Sequence, residues 1–397
     1  MIYGFGPYRL DTARLELRCD SETVHLEPQV FRLLEYLIEN RERVVSKDEL
    51  IKHVWSDRIV SDATVSNRIN AARRAVGDDG KEQATIRTIT RRGFRFVADV
   101  AVEEVPSDSR PSASKITAKA TQIIRFCATR KGVRLAYATA GSGPALVKAA
   151  NWLNHLEYDW ESPIWRHIFT GLAKNHLLVR YDARGNGLSD WDVEEISFDA
   201  FIRDLETVVD AVGLERFPLL GISQGCAISI AYAVRHPERV THLMLYGGYA
   251  RGWEKRGSQK EIEERRALRT LIGAKWGQDN PALRQLFTSM FIPGATLEQM
   301  QWFNDLQRIT TTTENAVRLR EALDQIDVEH LLSDVKAPTL VLHCRDDAVV
   351  PFEEGRRMAA MIPGARFVAL EGQNHLMLES DPAWPKFMEE VDAFLRA

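Results

Sequence analysis

Residues 7–18 and 23–26 alternate apolar and polar side chains, which predicts short antiparallel strands. The period then lengthens. Val30, Leu33, Leu34, Leu37 and Ile38 recur at helical spacing. Ser46 and Glu49 stand at capping-box spacing ahead of Leu50, Ile51 and Val54, so a second helix is expected to begin at Ser46. A third helix, capped by Ser61 or Asp62, puts Val65, Ile69, Ala72 and Val76 on one face. Gly77-Asp78-Asp79-Gly80 ends it, and IRTITRRGFRFVADV reads as two strands around Arg91-Arg92-Gly93. Beyond residue 120 the pattern changes. Segments 122–128 and 133–139 alternate like strands. The runs at 145–150, 176–182, 217–221, 240–248, 338–344 and 365–370 are short and mainly apolar and are separated by helix-length segments such as 198–213. Apolar runs alternating with helices predict an α/β fold with a mostly parallel sheet, and sites in such sheets lie at the carboxyl ends of the strands.

Between these regions Pro106-Ser-Asp-Ser-Arg-Pro-Ser-Ala-Ser114 carries no apolar period and cannot bury enough surface to offset chain entropy. It divides the 397 residues into a first domain at 1–103, a linker at 104–120 and a larger domain at 121–397. Composition narrows the class only modestly. Hydrophobic residues make up 45% and charged residues 27%, ample for packed cores. The net charge of −4 means that any nucleic-acid contact must come from a local patch. The four cysteines are far apart in sequence and read as reduced thiols, with no metal site or cofactor implied. Residues 217–234 carry no charge, but Pro218, Gly221, Ser223, Gln224 and Gly225 interrupt them, so no membrane span is expected. With no signal-peptide pattern either, the expectation is a cytoplasmic protein.

The local patch exists. Between residues 61 and 95 the basic residues are Arg68, Arg73, Arg74, Lys81, Arg87, Arg91, Arg92 and Arg95, against Asp62, Asp78, Asp79 and Glu82. Asn67, Asn70 and Arg74 lie opposite the apolar face of the third helix, flanked by Arg68 and Arg73. Such side chains on an exposed helix reach base edges and phosphates, and Arg91 and Arg92 at a hairpin tip reach the backbone or the minor groove. Three helices followed by a hairpin predict a winged helix-turn-helix that binds double-stranded DNA. SKDELIKHVW, DATVSNRINAARRAVGD and TITRRGFRFV resemble the OmpR/PhoB-type winged helix of bacterial transcription regulators. The resemblance implies a recognition helix at about 62–76, dimeric binding to repeated half-sites, and DNA contacts at Thr64, Arg68, Asn70 and Arg73. Ala71 departs from the basic residue that such proteins often carry there.

The chemistry of the second domain centres on Gly221-Ile222-Ser223-Gln224-Gly225, where a strand leads into a serine and a helix leads out. Glycines on both sides relieve crowding in a strained turn that exposes a nucleophile. A serine needs a base, and the base needs an orienting acid. His375 lies in a loop after the strand at 365–370, and Asp346 and Asp347 follow the strand at 338–344. The order Ser, acid, His resembles that of α/β-hydrolases of the lactonase, esterase and cofactor-free haloperoxidase-like kind. So does Asp182-Ala-Arg184-Gly185-Asn-Gly187-Leu-Ser189. The resemblance favours Asp347, which has the family's spacing to Val350-Pro351. It also implies a cap at about 250–328 and an oxyanion hole made by the backbone N–H groups of Trp152 and Gln224. Ala150-Asn151-Trp152 stands where the family has His-Gly, and Asn151 is expected to take the positive φ of that glycine. Trp253, Trp276, Phe287, Met290, Phe291, Trp302 and Phe303 in the cap are candidate lining without assignment.

Together these readings predict a homodimeric transcriptional regulator whose second domain senses, and in one version hydrolyses, a small ester- or lactone-like molecule. The alternative is primarily a serine hydrolase with an appended DNA-binding domain.

Overall fold

The computed structural model describes residues 2–12, 16–20, 22–24, 28–55, 62–78, 82–89, 92–103, 121–276 and 282–396. The chain divides into two compact units, Met1–Ile116 and Thr117–Ala397. The linker expected at 104–120 lies outside the described residues.

In the first unit four strands, β1 (Ile2–Phe5), β2 (Tyr8–Asp11), β3 (Glu16–Cys19) and β4 (Glu22–Val24), precede three helices. These are α1 (Pro28–Glu39), α2 (Lys47–Trp55) and α3 (Asp62–Ala75). A hairpin of β5 (Ile86–Ile89) and β6 (Gly93–Phe96) follows, and β7 (Ala101–Glu103) returns to β1. The antiparallel sheet runs β4-β3-β2-β1-β7. Leu33, Leu34 and Leu37 of α1 are buried with Val65, Ile69 and Ala72 of α3 and with Leu10, Leu17 and Phe96 from strands. Each of the Leu, Val, Ile and Phe side chains contributes about 1.5–3 kcal/mol by leaving water. Ser46 Oγ accepts from Glu49 N at 3.1 Å, which caps α2. The Glu49 carboxylate does not complete the reciprocal box; it accepts from Tyr36 Oη at 2.9 Å and from Arg43. Val45 pairs with Phe94 and ties the entry to α2 to the hairpin. This pairing explains Gly93. Its φ is +140°, and a Cβ there would lie 2.0 Å from Val45 O.

The second unit is the expected α/β fold. Its strands are β8 (Gln122–Ala128), β9 (Arg134–Ala140), β10 (Ala145–Lys148), β11 (Leu177–Tyr181), β12 (Phe217–Ile222), β13 (Val240–Tyr246), β14 (Thr339–Cys344) and β15 (Arg366–Leu370). They order β15-β14-β13-β12-β10-β11-β9-β8. Pairing is parallel from β15 to β11 and antiparallel at β9 and β8. After β10 come α4 (Leu156–Trp160) and α5 (Arg166–Ala173); α6 (Phe198–Val212) precedes β12, and α7 (Gly225–Arg235) follows it. Five helices then form an excursion between β13 and β14. They are α8 (Trp253–Arg256), α9 (Gln259–Lys275), α10 (Ala282–Phe291), α11 (Leu297–Thr310) and α12 (Thr313–Asp324). A 3-10 turn at Glu329–Asp334 leads into β14; α13 (Phe352–Met361) and α14 (Ala383–Leu395) complete the chain. The strand order reverses beside β10, since β11 lies on one side of it and β12 on the other. A crevice opens at the carboxyl ends of the strands at such a switch point. Trp152 follows β10 there and Ser223 follows β12.

Candidate functional site

Ser223 occupies the turn between β12 and α7 with φ +56°, a left-handed backbone that costs about 1–3 kcal/mol in a residue with a Cβ. The flanking glycines make the turn possible. A Cβ on Gly221 would lie 2.7 Å from Cys226 Cα and from Gly225 O, and one on Gly225 would lie 3.0 Å from Ala150 O. Ser223 N donates to Tyr246 O at 3.0 Å, which fixes the turn to β13.

His375 is fully buried and meets Ser223 and Asp347 on its two ring nitrogens. Nδ1 lies 2.8 Å from Asp347 Oδ2, and Nε2 lies 2.9 Å from Ser223 Oγ. An ionised carboxylate only accepts, so Nδ1 donates to it and Nε2 is left to accept from the serine hydroxyl. Asp347 Oδ1 accepts from Val349 N at 2.8 Å and Val350 N at 2.9 Å. Burial opposes ionisation of Asp347. The charge and hydrogen bond of His375 and the Val350 N–H outweigh it and hold the carboxyl below the ordinary aspartate range. Asp346, the rival acid, is exposed. The cap completes the seat of the imidazole. His375 N donates to Phe291 O at 2.9 Å, and the Phe291 ring stands edge-on to the imidazole at 5.4 Å. His343 is packed in the strand, its Nε2 3.0 Å from Val350 O.

Above Ser223 lies a cavity of about 30 Å³. Its lining includes Asn151, Trp152, Ser223, Gln224, Tyr249 and Arg320. The N–H groups of Trp152 and Gln224 find no protein acceptor among the described residues. The strained residue of the β10 turn is Leu153, at φ +58°, and not Asn151 as expected. Asn151 is held by its side chain instead. Its Oδ1 accepts from Lys148 Nζ, and its Nδ2 donates to Trp152 O at 3.1 Å. Lys148 is buried, 5.5 Å from the centre of the Trp165 ring, with Asp159, Arg180 and Asp182 acting on its charge. Burial, with Arg180 adding, pushes its amine down to about 7. Sequence reasoning missed Lys148, although a lysine in the otherwise apolar run ALVKAA was the signal for it. Of the aromatic candidates, Trp253, Phe291 and Phe303 line the cavity. Trp276 and Phe287 pack on the Trp152 ring at 5.8 and 5.6 Å, and Trp302 stacks on Tyr158 at 4.1 Å.

In the first unit, Asn70, Arg74 and Arg92 are exposed and Arg68 is half-buried. Arg91 and the side chains of Thr64 and Asn67 lie outside the described residues. Arg73 corrects the expectation of a DNA contact. Only 6% of it is exposed, and its guanidinium donates to Ile86 O at 3.0 and 2.8 Å and to Thr88 Oγ1 at 2.8 Å. Asp78 accepts from the N–H groups of Ala84, Thr85 and Ile86. The two residues clamp β5 onto the end of α3. A helical wheel puts Arg73 on the flank; the strand that covers that flank is a tertiary contact.

Comparison with known proteins agrees with both folds. Residues 155–382 match the model of the alpha/beta hydrolase fold family, and residues 21–96 match that of the transcriptional regulatory protein C-terminal domain. The hydrolase match begins past Ala150-Asn151-Trp152, so the departure at that turn lies outside it. The AB hydrolase superfamily protein YisY of Bacillus subtilis is 26% identical over 63% of this chain and 91% of its own length. A 2-hydroxy-6-oxononadienedioate/2-hydroxy-6-oxononatrienedioate hydrolase of Paraburkholderia phymatum is 28% identical over 57% of this chain and 75% of its own. Among solved structures, the enol-lactonase of Burkholderia xenovorans superposes with a TM-score of 0.58 at 23% identity, over 69% of this chain and 100% of its own. An esterase of Exiguobacterium antarcticum gives 0.58 at 24% identity, over 68% and 99%. No helix among the described residues is long and apolar enough to cross a membrane. The chain therefore belongs to the alpha/beta hydrolase fold family and joins that domain to a transcription-regulator DNA-binding domain.

Proposed function

We propose that this protein is a cytoplasmic, homodimeric transcriptional regulator whose hydrolase-fold domain binds a small ester or lactone as its signal and hydrolyses it. The observation that carries this reading is the unbroken chain Ser223 Oγ, His375, Asp347 at 2.9 and 2.8 Å. His375 takes the serine proton as Oγ attacks the carbonyl carbon, and Asp347 stabilises the resulting imidazolium. The N–H groups of Trp152 and Gln224 receive the oxyanion of the tetrahedral intermediate. His375 returns the proton to the leaving alkoxide; water, activated by the same imidazole, then releases the acid and frees the serine. The cavity of about 30 Å³ is small for an ester, and in this reading the cap moves aside as the ester enters. That displacement is the element through which a ligand biases the DNA-binding state.

The test is DNA occupancy in the presence of a bound ester, measured for the native protein and for Ser223→Ala. In the native protein the ester's effect decays as it is consumed; in the variant it persists. An ester that binds and leaves occupancy unchanged in both rejects sensing and leaves the hydrolase alternative.

Three further outcomes are expected. Arg74→Ala weakens DNA binding nearly uniformly across sequences and lowers the salt slope by about 1, read from titrations at several salt concentrations. Arg73→Ala instead lowers the melting temperature of the first domain, since it opens the clamp on β5. Lys148→Met releases Asn151 and loosens the Trp152 turn. Steady-state kinetics then show kcat lower by roughly ten- to hundredfold with a smaller change in KM, because a misplaced oxyanion donor is lost mainly in the transition state.

A further inference from the structure

Among the described residues, one charged side chain lines the cavity above Ser223, Arg320 of α12. Its guanidinium lies 5.5 Å from the centre of the Trp152 ring and 3.0 Å from Asp324 Oδ1. Asp324 does not belong to Arg320 alone, because Arg269 also reaches its carboxylate, at 3.5 Å. A second arginine stands one ring behind the cavity. The Arg256 guanidinium packs 4.7 Å from the ring of Tyr249 and 4.4 Å from that of Trp253, and both rings line the cavity. Its side chain is 5% exposed, and its nearest carboxylate, on Glu354, is 3.7 Å away. Its Nε and Nη2 have no hydrogen-bond partner among the described residues. Arg265 covers Trp253 at 3.8 Å. The charge of Arg320 is felt by both Arg256 and Arg265, whose guanidinium groups burial and that repulsion push down.

Buried cations that repel one another and are incompletely paired are costly, and an anion arriving among them relieves that cost. An apolar ester gains nothing from such a wall. We infer that the substrate carries a carboxylate of its own, which pairs with Arg320 while its ester or lactone carbonyl lies at Ser223. The ligand class is a half-ester, or a lactone, bearing a free acid. This rests on the proposed hydrolase reading and sharpens it, since Arg320 would choose among esters by charge.

The experiment separates binding from chemistry. Glutarate, a short dicarboxylate, is titrated by calorimetry into Ser223→Ala, then into the double variants that add Arg320→Met or Arg320→Lys. Glutarate is expected to bind Ser223→Ala. Arg320→Met weakens it by roughly ten- to hundredfold, the size of a lost charge-assisted pair, and Arg320→Lys weakens it less. In parallel, the protein with native Ser223 is assayed with p-nitrophenyl hydrogen glutarate and with p-nitrophenyl pentanoate. The ratio of their kcat/KM values favours the acid, and Arg320→Met lowers that ratio by about tenfold or more, chiefly through KM. If neither ester turns over, the hydrolase reading fails and the glutarate titration alone decides the anion site. Absence of glutarate binding, or binding indifferent to both Arg320 variants, overturns the inference.

Discussion

Replacing Ser223 by alanine should lower kcat for a chromogenic short-chain ester by roughly four to six powers of ten while leaving the fold intact. The size follows from how the three groups act. Ser223, His375 and Asp347 form one hydrogen-bonded relay, so removing the attacking oxygen also idles the base and its orienting acid. What remains is the modest acceleration from binding and from the two N–H donors. His375→Ala should cost nearly as much, and adding it to Ser223→Ala should cost almost nothing further. Initial rates on the three variants check this. Equal and additive losses would mean that the residues work separately.

The second large effect is on stability. Arg184→Ala should destabilise the hydrolase domain by about 3–5 kcal/mol, the usual result of leaving one partner of a buried ion pair alone. Arg184 Nε donates to Asp204 Oδ1 and Oδ2 at 3.1 and 3.0 Å, and Nη2 donates to Oδ1 at 2.6 Å. Their side chains are 3% and 0% exposed. Burial raises the Asp204 pKa, and Arg184 works against that rise. Without Arg184 the carboxyl of the folded variant holds its proton to still higher pH. A raised folded pKa means that the native state binds more protons than the unfolded one, so the variant's stability falls as pH rises above the ordinary aspartate range. The deficit should therefore shrink in acid, where a protonated Asp204 needs no cation. The double change Arg184→Met with Asp204→Leu should cost less than either single change, since it leaves no stranded charge. Urea unfolding followed by tryptophan fluorescence reads this domain, because all nine tryptophans except Trp55 lie beyond residue 117.

Arg184 also illustrates how far the chain could be read beforehand. The Asp182–Ser189 motif was recognisable as a pattern, but its purpose is visible only in three dimensions. Asp182 Oδ2 accepts from Leu156 N and Leu188 N, Ser189 Oγ donates to Asp182 O, and Arg184 anchors the loop to α6 through Asp204. The parallel strands were legible because burial on both faces makes each one a mainly apolar run. Ser223 was legible because the glycines on either side of it answer a local steric demand. Its partners could be proposed from their order after successive strands. What escaped depends on contacts between distant segments. Strands β1 and β7 pair with each other across nearly the whole first unit. Arg73 looks like a flank residue on a helical wheel and is covered by β5. Arg320 sits in TENAVRLREALD, where charges fall on several faces, and nothing local says that this one turns to the cavity.

The proposed function requires that Ser223 be a working nucleophile activated by His375. A fluorophosphonate probe tests this directly, because it phosphonylates only an activated serine and loses fluoride as it does so. Intact and peptide mass spectrometry should find one adduct, on the peptide containing Ser223, formed rapidly in the native protein and not in His375→Ala. A folded native protein that carries no adduct at Ser223, or that carries it equally without His375, would mean that Ser223 is not a nucleophile activated by this imidazole.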